Sequence, residues 1–414
     1  VSSNGTLIFS PGAPFSASGT VTLEGVSFES FGVVEFGGTA PITLVASSPV
    51  FSNVIISNTY SNGVTASSSW AINDQLEIEP GSVFTAGEGF SHSISGSIDN
   101  YGTRNGGTST ITFHSLCEIN GMEEPEIYNL VVSNSADLTL NNSVKITKDL
   151  TIDGTLSETG QKLTFSGSEN SVISGATGSL SLSELEINKS SAITTCSIPV
   201  TINEWLFLTS GILHTDATNI LTIIDDATST EGNAASFVDG PIKKIGNDEF
   251  IFPLGDFNRL AKLKISAPAN TTDAFTARYY DDAYTNTTTM ATTPTPALNN
   301  VSNGEYWTLD RVAGSSDVTV ELYWQSASLS GISDADADLV VAHWNGTAWE
   351  NAGQSAISGS SSGSVTSDTV TSFSPFTFGS LATDKNDLLE GVNSLPVELI
   401  SFKAVNMEQE VMLQ

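Results

Sequence analysis

The sequence predicts an all-β protein in which a right-handed parallel β-helix is followed by an antiparallel β-sandwich. Residues 128–156 contain short runs of alternating apolar and polar residues, which are typical of strands with one buried face. Similar runs recur at 53–81 and at 183–213. Two apolar landmarks in each copy are 22, 20 and 21 residues apart, namely Val54 and Leu76, Leu130 and Leu150, and Leu185 and Leu206.

A period near 20 residues with such short strands is typical of a solenoid, because each coil covers the apolar face that the previous coil leaves exposed. A Greek-key sandwich is the alternative for this region, but it does not predict a repeating interval. We align the last two copies with Leu130 opposite Leu185 and Leu150 opposite Leu206, at spacings of 55 and 56 residues.

The first domain is predicted over 1–236. Candidate strands within 1–50 are less regular, as is usual for terminal coils that cap a stack. Residues 51–235 contain the three copies and an additional coil near 84–110. We therefore assign 1–236 to the parallel β-helix.

From residue 237 the regular interval is lost, and the strands become longer and more aromatic. Long polar loops separate them, so we assign 237–382 to a β-sandwich. Residues 383–394 are a charged linker without apolar periodicity. Residues 395–414 contain one strand and the start of another, which cannot bury a core alone. We therefore expect the natural chain to continue beyond Gln414.

Charge limits the classes of partner. The chain has 14 Lys and Arg residues against 46 Asp and Glu residues, a formal charge of −32. A nucleic-acid groove needs a basic patch, so we expect no nucleic-acid partner. The same charge disfavours binding to an anionic membrane surface. The sequence contains no run of 18 apolar residues, so we expect no transmembrane segment.

The two cysteines are predicted to be free, buried thiols. Cys117 and Cys196 are 79 residues apart, which is about four coils of the predicted solenoid. Stacked strands are about 4.8 Å apart. A disulfide needs Cα atoms within about 7 Å, so the two residues are too far apart to pair.

Three passages resemble parts of large bacterial surface proteins that are exported by the type IX secretion system. The repeated coils at 129–134 (NLVVSN) and 150–156 (LTIDGTL) are similar to their β-helical regions. Residues 240–246 (GPIKKIG) with 250–256 (FIFPLGD) resemble the segment that ends those solenoids. Residues 395–402 (LPVELISF) look like the opening strand of the fibronectin-III-like module that often precedes their sorting domain.

The resemblance implies a protein that is secreted or held on the outer cell surface of a Gram-negative bacterium. It also implies the type IX secretion machinery as a partner, through a C-terminal region that is absent from this chain. On this interpretation, residues 395–414 are the truncated start of a fibronectin-III-like domain.

Acidic side chains are the candidate catalytic groups, because β-helices also carry polysaccharide lyases and glycoside hydrolases. Glu77 and Glu79 share one face of a predicted strand, and Glu123, Glu124 and Glu126 lie at a predicted turn. We favour the interpretation of both groups as solvated surface charge. No HExxH or CxxC pattern occurs, so we predict no catalytic residue and keep the enzyme as an alternative.

Asp334, Asp336 and Asp338 are the candidate metal ligands. Alternate carboxylates on an extended segment point the same way, and hard oxygen donors suit Ca²⁺. The segment lacks the Gly and the distal Glu of an EF-hand loop, and its alternative is a polar loop before a strand. Asp225 and Asp226 are a weaker candidate. No other cofactor is expected.

Trp344 and Trp349 are the candidate carbohydrate-binding residues. They flank a predicted Asn-Gly hairpin turn, so one of the two rings is expected to reach the surface, where a sugar can stack. The alternative is that the tryptophans of a sandwich belong to its core. Thr369 follows Asp368 and precedes Val370, which matches the O-glycosylation pattern of bacteria that use this secretion system.

These observations predict a non-catalytic secreted or cell-surface protein. The solenoid would be a rigid stalk or adhesive surface, because its length grows with the number of coils. The sandwich would be a binding or presenting module, with a surface polysaccharide or another surface protein as its partner. A carbohydrate-binding module is a further alternative.

Overall fold

The computed structural model describes residues 5–9, 15–16, 21–256, 259–333, 335–373, 375–381, 404–407 and 410–413. Strands make up 56% of the chain and helix 1%, which confirms the all-β prediction. A β-solenoid of about ten turns is followed by antiparallel sheet.

Each coil of the solenoid contributes strands to three faces, and each strand pairs in parallel with the coil before and the coil after it. The apolar side chains of every face form a buried column inside the solenoid. The first face contains the column Val54, Leu76, Ile98, Ile119 and Leu140. The second face contains Val144, Leu163, Leu185 and Leu206. The third face contains Ile111, Leu130, Leu150, Ile173 and Cys196.

The parallel strands of the solenoid are Gly5–Phe9, Phe15–Ser16, Val21–Gly38, Ile42–Asn58, Val64–Ala66, Ala71–Ile78, Val83–Thr85, Ser91–Ile94, Ser97–Asn100, Thr103–Asn105, Thr110–Phe113, Leu116–Gly121, Glu126–Ile127, Asn129–Val132, Asp137–Leu140, Val144–Ile146, Leu150–Ile152, Thr155–Glu158, Lys162–Gly167, Ser171–Ser174, Leu180–Cys196, Val200–His214, Leu221–Ile223, Thr228–Ser229, Val238–Asp239, Ile242–Ile245 and Leu254–Asp256. The remaining elements are the strands Phe250–Phe252, Arg259–Leu260, Leu263–Ile265, Ala274–Tyr280, Asn300–Val301, Tyr306–Ala313, Val320–Trp324, Leu339–Trp344, Trp349–Asn351, Ala356–Gly359, Gly363–Thr366, Phe376–Ser380, Ala404–Met407 and Glu410–Leu413, and the helix Ala327–Ser330.

The short repeat intervals are the coil steps. Val54 pairs directly with Leu76, Leu130 with Leu150, and Leu185 with Leu206. The longer alignment, at 55 and 56 residues, is wrong as a structural equivalence. Leu130 and Leu150 belong to the third face, whereas Leu185 and Leu206 belong to the second. All three faces share one alternating pattern, so a match of pattern does not identify the face.

Parallel pairing continues about one coil beyond residue 236, so the predicted end of the solenoid is about one coil too early. Leu221 pairs with Ile242, and Val238 pairs with Leu254. The strand Ala274–Tyr280 then runs antiparallel along Ile242–Ile245, which ends the parallel stacking on that face. An antiparallel strand at this position satisfies backbone groups that the next coil would otherwise have paired.

The described residues form two compact units. The first contains the chain up to Tyr279 together with Thr308–Val320 and Thr369–Phe373. The second contains Tyr280–Trp307, Glu321–Asp368 and the described residues from 375 onward.

The second unit contains two antiparallel sheets. In one, Leu339–Trp344 pairs with Phe376–Ser380 and with Trp349–Asn351. In the other, Gly363–Thr366 pairs with residues 321–324 and with Ala356–Gly359. Side chains of the two sheets meet where Trp324 lies edge-on to Phe378, with ring centroids 5.9 Å apart. Trp307, Trp324 and Trp349 are buried, as expected for the core of a sandwich.

Other predictions have mixed outcomes. Both cysteines are free and buried, as predicted. Within the described residues, no helix is long and apolar enough to cross a membrane. The linker 383–394 and the strand predicted over 395–402 lie outside the described residues, so the fibronectin-III-like start remains a prediction. Ala404–Met407 and Glu410–Leu413 pair in antiparallel fashion.

Candidate functional site

Four partly exposed aromatic side chains cluster in the second unit, and we call Tyr280, Tyr284, Tyr306 and Trp344 the aromatic surface. The rings of Tyr280 and Tyr306 are parallel within 8°, with centroids 4.5 Å apart. Tyr284 lies edge-on to Tyr306 at 5.3 Å and contacts Trp344 at 5.5 Å. The four rings therefore form one continuous patch.

Trp349 supports this patch from the protein interior. Its ring is fully buried, lies 5.6 Å from the ring of Trp344, and packs in an apolar cluster that includes Val340 and Leu298. Its Nε1 donates a hydrogen bond to the carbonyl oxygen of Asn286 at 2.6 Å. The predicted hairpin is present, because Trp344 pairs with Trp349 across the turn. One ring of the hairpin reaches the surface and the other does not.

An open cleft of about 330 Å³ lies in the same unit, lined by residues that include Pro294, Pro296, Val340 and Gln354. Val340 belongs to the apolar cluster beneath Trp349, so the cleft and the aromatic surface share a packed base. Gln354 is fixed by two bonds from its Nε2, to the carbonyl oxygens of Asp336 and Leu339. A concave wall of apolar groups with a few oriented polar groups is the usual form of a small-molecule site.

The predicted calcium ligands are only partly described. Asp334 lies outside the described residues. Asp336 and Asp338 are exposed, and the Asp336 carboxylate accepts a hydrogen bond from the backbone N–H of Asp338 at 2.8 Å. This contact closes a turn before the strand Leu339–Trp344, as in the polar-loop alternative. Calcium binding here stays a prediction.

The aspartates that the fold does bring together are Asp225, Asp226 and Asp248, whose carboxylate oxygens lie within 4.8 Å of one another. Lys244 is the cation beside them. Its Nζ donates to the Asp248 carboxylate at 3.2 Å and to the carbonyl oxygens of Ile224 and Ala227 at 2.8 and 2.7 Å. A buried ammonium group thus already offsets this negative charge. Sequence reasoning found Asp225 and Asp226 but missed Asp248, which lies one coil later.

The glutamates considered for catalysis lie in two different settings. Glu77 pairs with Asp99 on the next coil of the first face. Burial, then Glu79, then Asp99 raise the pKa of the Glu77 carboxyl above its usual value. The Asp99 carboxylate accepts hydrogen bonds from Gln75, from Ser97 at 3.1 Å and from Asn120 at 2.7 Å.

The turn at Glu123, Glu124 and Glu126 is structural. The carbonyl oxygen of Glu123 accepts from the side chains of Asn100 and Asn142, and the carbonyl oxygen of Glu126 accepts from Arg104. The Glu124 carboxylate forms an ion pair with Lys145 at 3.6 Å. The oxygens of this turn therefore tie neighbouring coils together.

The three tyrosines of the aromatic surface were missed because only tryptophans were considered from the sequence. The available signal was the presence of three tyrosines, out of eight in the chain, within residues 280–306. Thr369, the predicted glycosylation site, is exposed.

Comparisons with protein-family models, with curated proteins and with solved structures found no match. The class that the chain itself defines is a β-solenoid followed by antiparallel, sandwich-like sheet.

Proposed function

We propose that this chain is a non-catalytic protein, secreted or held at the cell surface, in which the solenoid is a rigid stalk and the second unit binds carbohydrate. The aromatic surface is the observation that carries the proposal. Partly exposed Tyr and Trp rings with a packed base beneath them suit a sugar, because an aromatic ring can contact the C–H groups of the sugar while polar neighbours bind its hydroxyls.

The solenoid supports the stalk role. Its coils repeat one strand pattern, so each added coil extends the same hydrophobic core and lengthens the structure by about 4.8 Å. The formal charge of −32 keeps such a surface-exposed chain soluble and limits self-association. Export by the type IX system rests on the resemblance at 240–256 and 395–402. Calcium at Asp334, Asp336 and Asp338 and a glycan on Thr369 belong to the same proposal.

We expect Trp344→Ala to weaken binding of a neutral hexasaccharide about tenfold, because it removes the most apolar ring of the aromatic surface. Isothermal titration calorimetry of the full chain with cello-, manno- and xylohexaose measures this. Tyr60→Ala is the control, since Tyr60 is an exposed aromatic of the solenoid. The proposal fails if Trp344→Ala binds as tightly as the parent chain, or if none of the three sugars binds.

A second candidate function is a β-helix glycoside hydrolase, favoured by the Glu77 and Asp99 pair. A carboxyl with a raised pKa beside a hydrogen-bonded carboxylate is the arrangement that acid-assisted glycoside cleavage uses. On this alternative, Glu77→Gln would lower the turnover of a cleaved polysaccharide at least about a hundredfold, since it removes the proton donor. Reducing-sugar release from neutral and acidic polysaccharides measures it, with Glu88→Gln as the control, because Glu88 is an exposed carboxyl elsewhere on the solenoid. Equal release by both variants and the parent chain would exclude this pair as catalytic groups.

A further inference from the structure

Two aromatic rings lie on the outside of the solenoid, on its second face. Trp205 is 42% exposed, and its ring is parallel to that of Phe207 within 9°, at a centroid distance of 5.4 Å. Leu206 and Leu208, the alternate residues of the same strand, are buried in the solenoid. The alternation therefore directs both rings outward. Outward positions on a solenoid are ordinarily polar, so a paired aromatic exposure points to a contact surface.

Polar groups on the preceding coils border the rings. In the ladder, Glu184 lies opposite Trp205, and Glu186 lies opposite Phe207. The Glu186 carboxylate is held by Lys162 Nζ at 2.6 Å and by Thr209 Oγ1 at 3.0 Å. Lys162 Nζ also lies 5.7 Å from the centroid of the Phe207 ring. The Glu186 carboxylate and the Lys162 ammonium group are thus held in place beside the rings.

A cleft begins on the following coil. Trp205 pairs in the ladder with Thr228, and Leu206 pairs with Ser229. Thr228 and Ser229 line an open cleft of about 190 Å³, together with Glu249, Phe250 and Lys264. Lys264 and Glu249 form an ion pair at 3.1 Å there. Rings, carboxylates, hydroxyls and a cleft therefore follow one another along successive coils.

The geometry points to a second carbohydrate site, in which the Trp205 and Phe207 rings and the adjoining cleft bind a chain of neutral sugars. The rings take the apolar faces of sugar rings, while Glu184, Glu186 and Thr228 are placed to bind hydroxyl groups. This site belongs to the first unit and does not rest on the proposed function of the second.

Charge and area decide between occupants. A polyanionic polysaccharide is disfavoured, because the chain carries a formal charge of −32 and Glu184, Glu186 and Glu249 lie at the site. A protein partner ordinarily needs about 800 Å² on each side, whereas the exposed parts of the two rings offer only on the order of 200 Å². A neutral oligosaccharide needs only a few rings and oriented polar groups.

The test is calorimetric titration of the full chain with cello-, manno- and xylohexaose, and with an oligogalacturonate of the same length. We expect Trp205→Ala to weaken the binding of at least one neutral sugar about tenfold or more. The matched control is Tyr101→Ala, because Tyr101 is a solenoid aromatic with a similar exposed fraction, 37%. Its affinity should equal that of the parent chain.

Three results would overturn the inference: no neutral hexasaccharide binds, Trp205→Ala and Tyr101→Ala behave alike, or the oligogalacturonate binds more tightly than every neutral sugar. The two carbohydrate proposals are separable. Loss of binding in Trp344→Ala alone would leave only the second unit as a binding module, and loss in Trp205→Ala alone would leave only the solenoid site.

Discussion

Gly121→Ala should destabilise the solenoid by about 3–5 kcal/mol, as backbone strain and steric overlap act together. Gly121 has φ +121°, a conformation that residues with a side chain rarely adopt. A Cβ added there would lie 2.0 Å from the carbonyl oxygen of Asn100 on the preceding coil. That oxygen cannot move away easily, since it accepts hydrogen bonds from the N–H groups of Met122 and Glu123 at 3.0 and 3.2 Å.

The matched control is Gly81→Ala. Gly81 also has a positive φ, +76°, but no atom lies within 4 Å of a Cβ built on it. Only the backbone strain applies there, so the expected cost is about 1–2 kcal/mol. Urea unfolding followed by far-ultraviolet circular dichroism measures both changes. If the two variants lose the same stability, close approach of the coils at Gly121 is not the cause.

Raising the pH from 7.5 to 10.5 should increase the unfolding free energy of the parent chain by about 3 kcal/mol more than that of Lys189→Met. Lys189 is fully buried, and its Nζ donates to the carbonyl oxygens of Thr147 and Ser166 and to Ser171 Oγ at 3.0, 2.7 and 2.6 Å. Burial, reinforced by the neighbouring Lys148, lowers the pKa of Lys189 from 10.5 to about 8.

The sign follows from proton counting. Below pH 8 both the folded and the unfolded chain hold the proton, so the full cost of burying the charge is present. Between pH 8 and 10.5 the unfolded chain holds more protons than the folded chain, and stability therefore rises with pH. The methionine variant lacks this titration, and it leaves three oxygen atoms without their donor.

Urea unfolding at pH 7.5, 9 and 10.5 measures the difference between the two chains. Lys145→Met is the control, because Lys145 forms only a partly exposed ion pair with Glu124. Its cost should stay below about 1 kcal/mol and change little with pH. Parallel pH profiles for the parent chain and Lys189→Met would contradict the prediction.

The coil step could be predicted from the sequence because it rests on a local rule. An inward apolar residue must be covered by another about one coil later, and Val54 with Leu76 follows that rule. The face on which each strand lies could not be predicted in the same way. All faces alternate apolar and polar residues, so the strand pattern is the same around Leu150 and Leu206. Only the turns between strands determine that these two residues lie on different faces.

The candidate site, too, could be predicted from the sequence only in part. Trp344 was predicted because a local hairpin places it beside Trp349. Tyr280 and Tyr306 meet only through the fold of the second unit, and no local pattern indicates that contact. Trp205 could have been predicted, since the buried positions Leu206 and Leu208 already place its ring outside the solenoid.

The ammonium group of Lys189 reaches oxygen atoms 23 and 42 residues earlier in the chain. These atoms belong to the two preceding turns of the solenoid, so the hydrogen bonds of one side chain link three turns. We expect that turns linked in this way do not unfold one at a time when the ends of the solenoid are pulled. Under tension along the solenoid, we expect residues 147–189 to resist unfolding together and then to unfold in one step. Lys189 would thus raise the force needed to unfold this part of the solenoid.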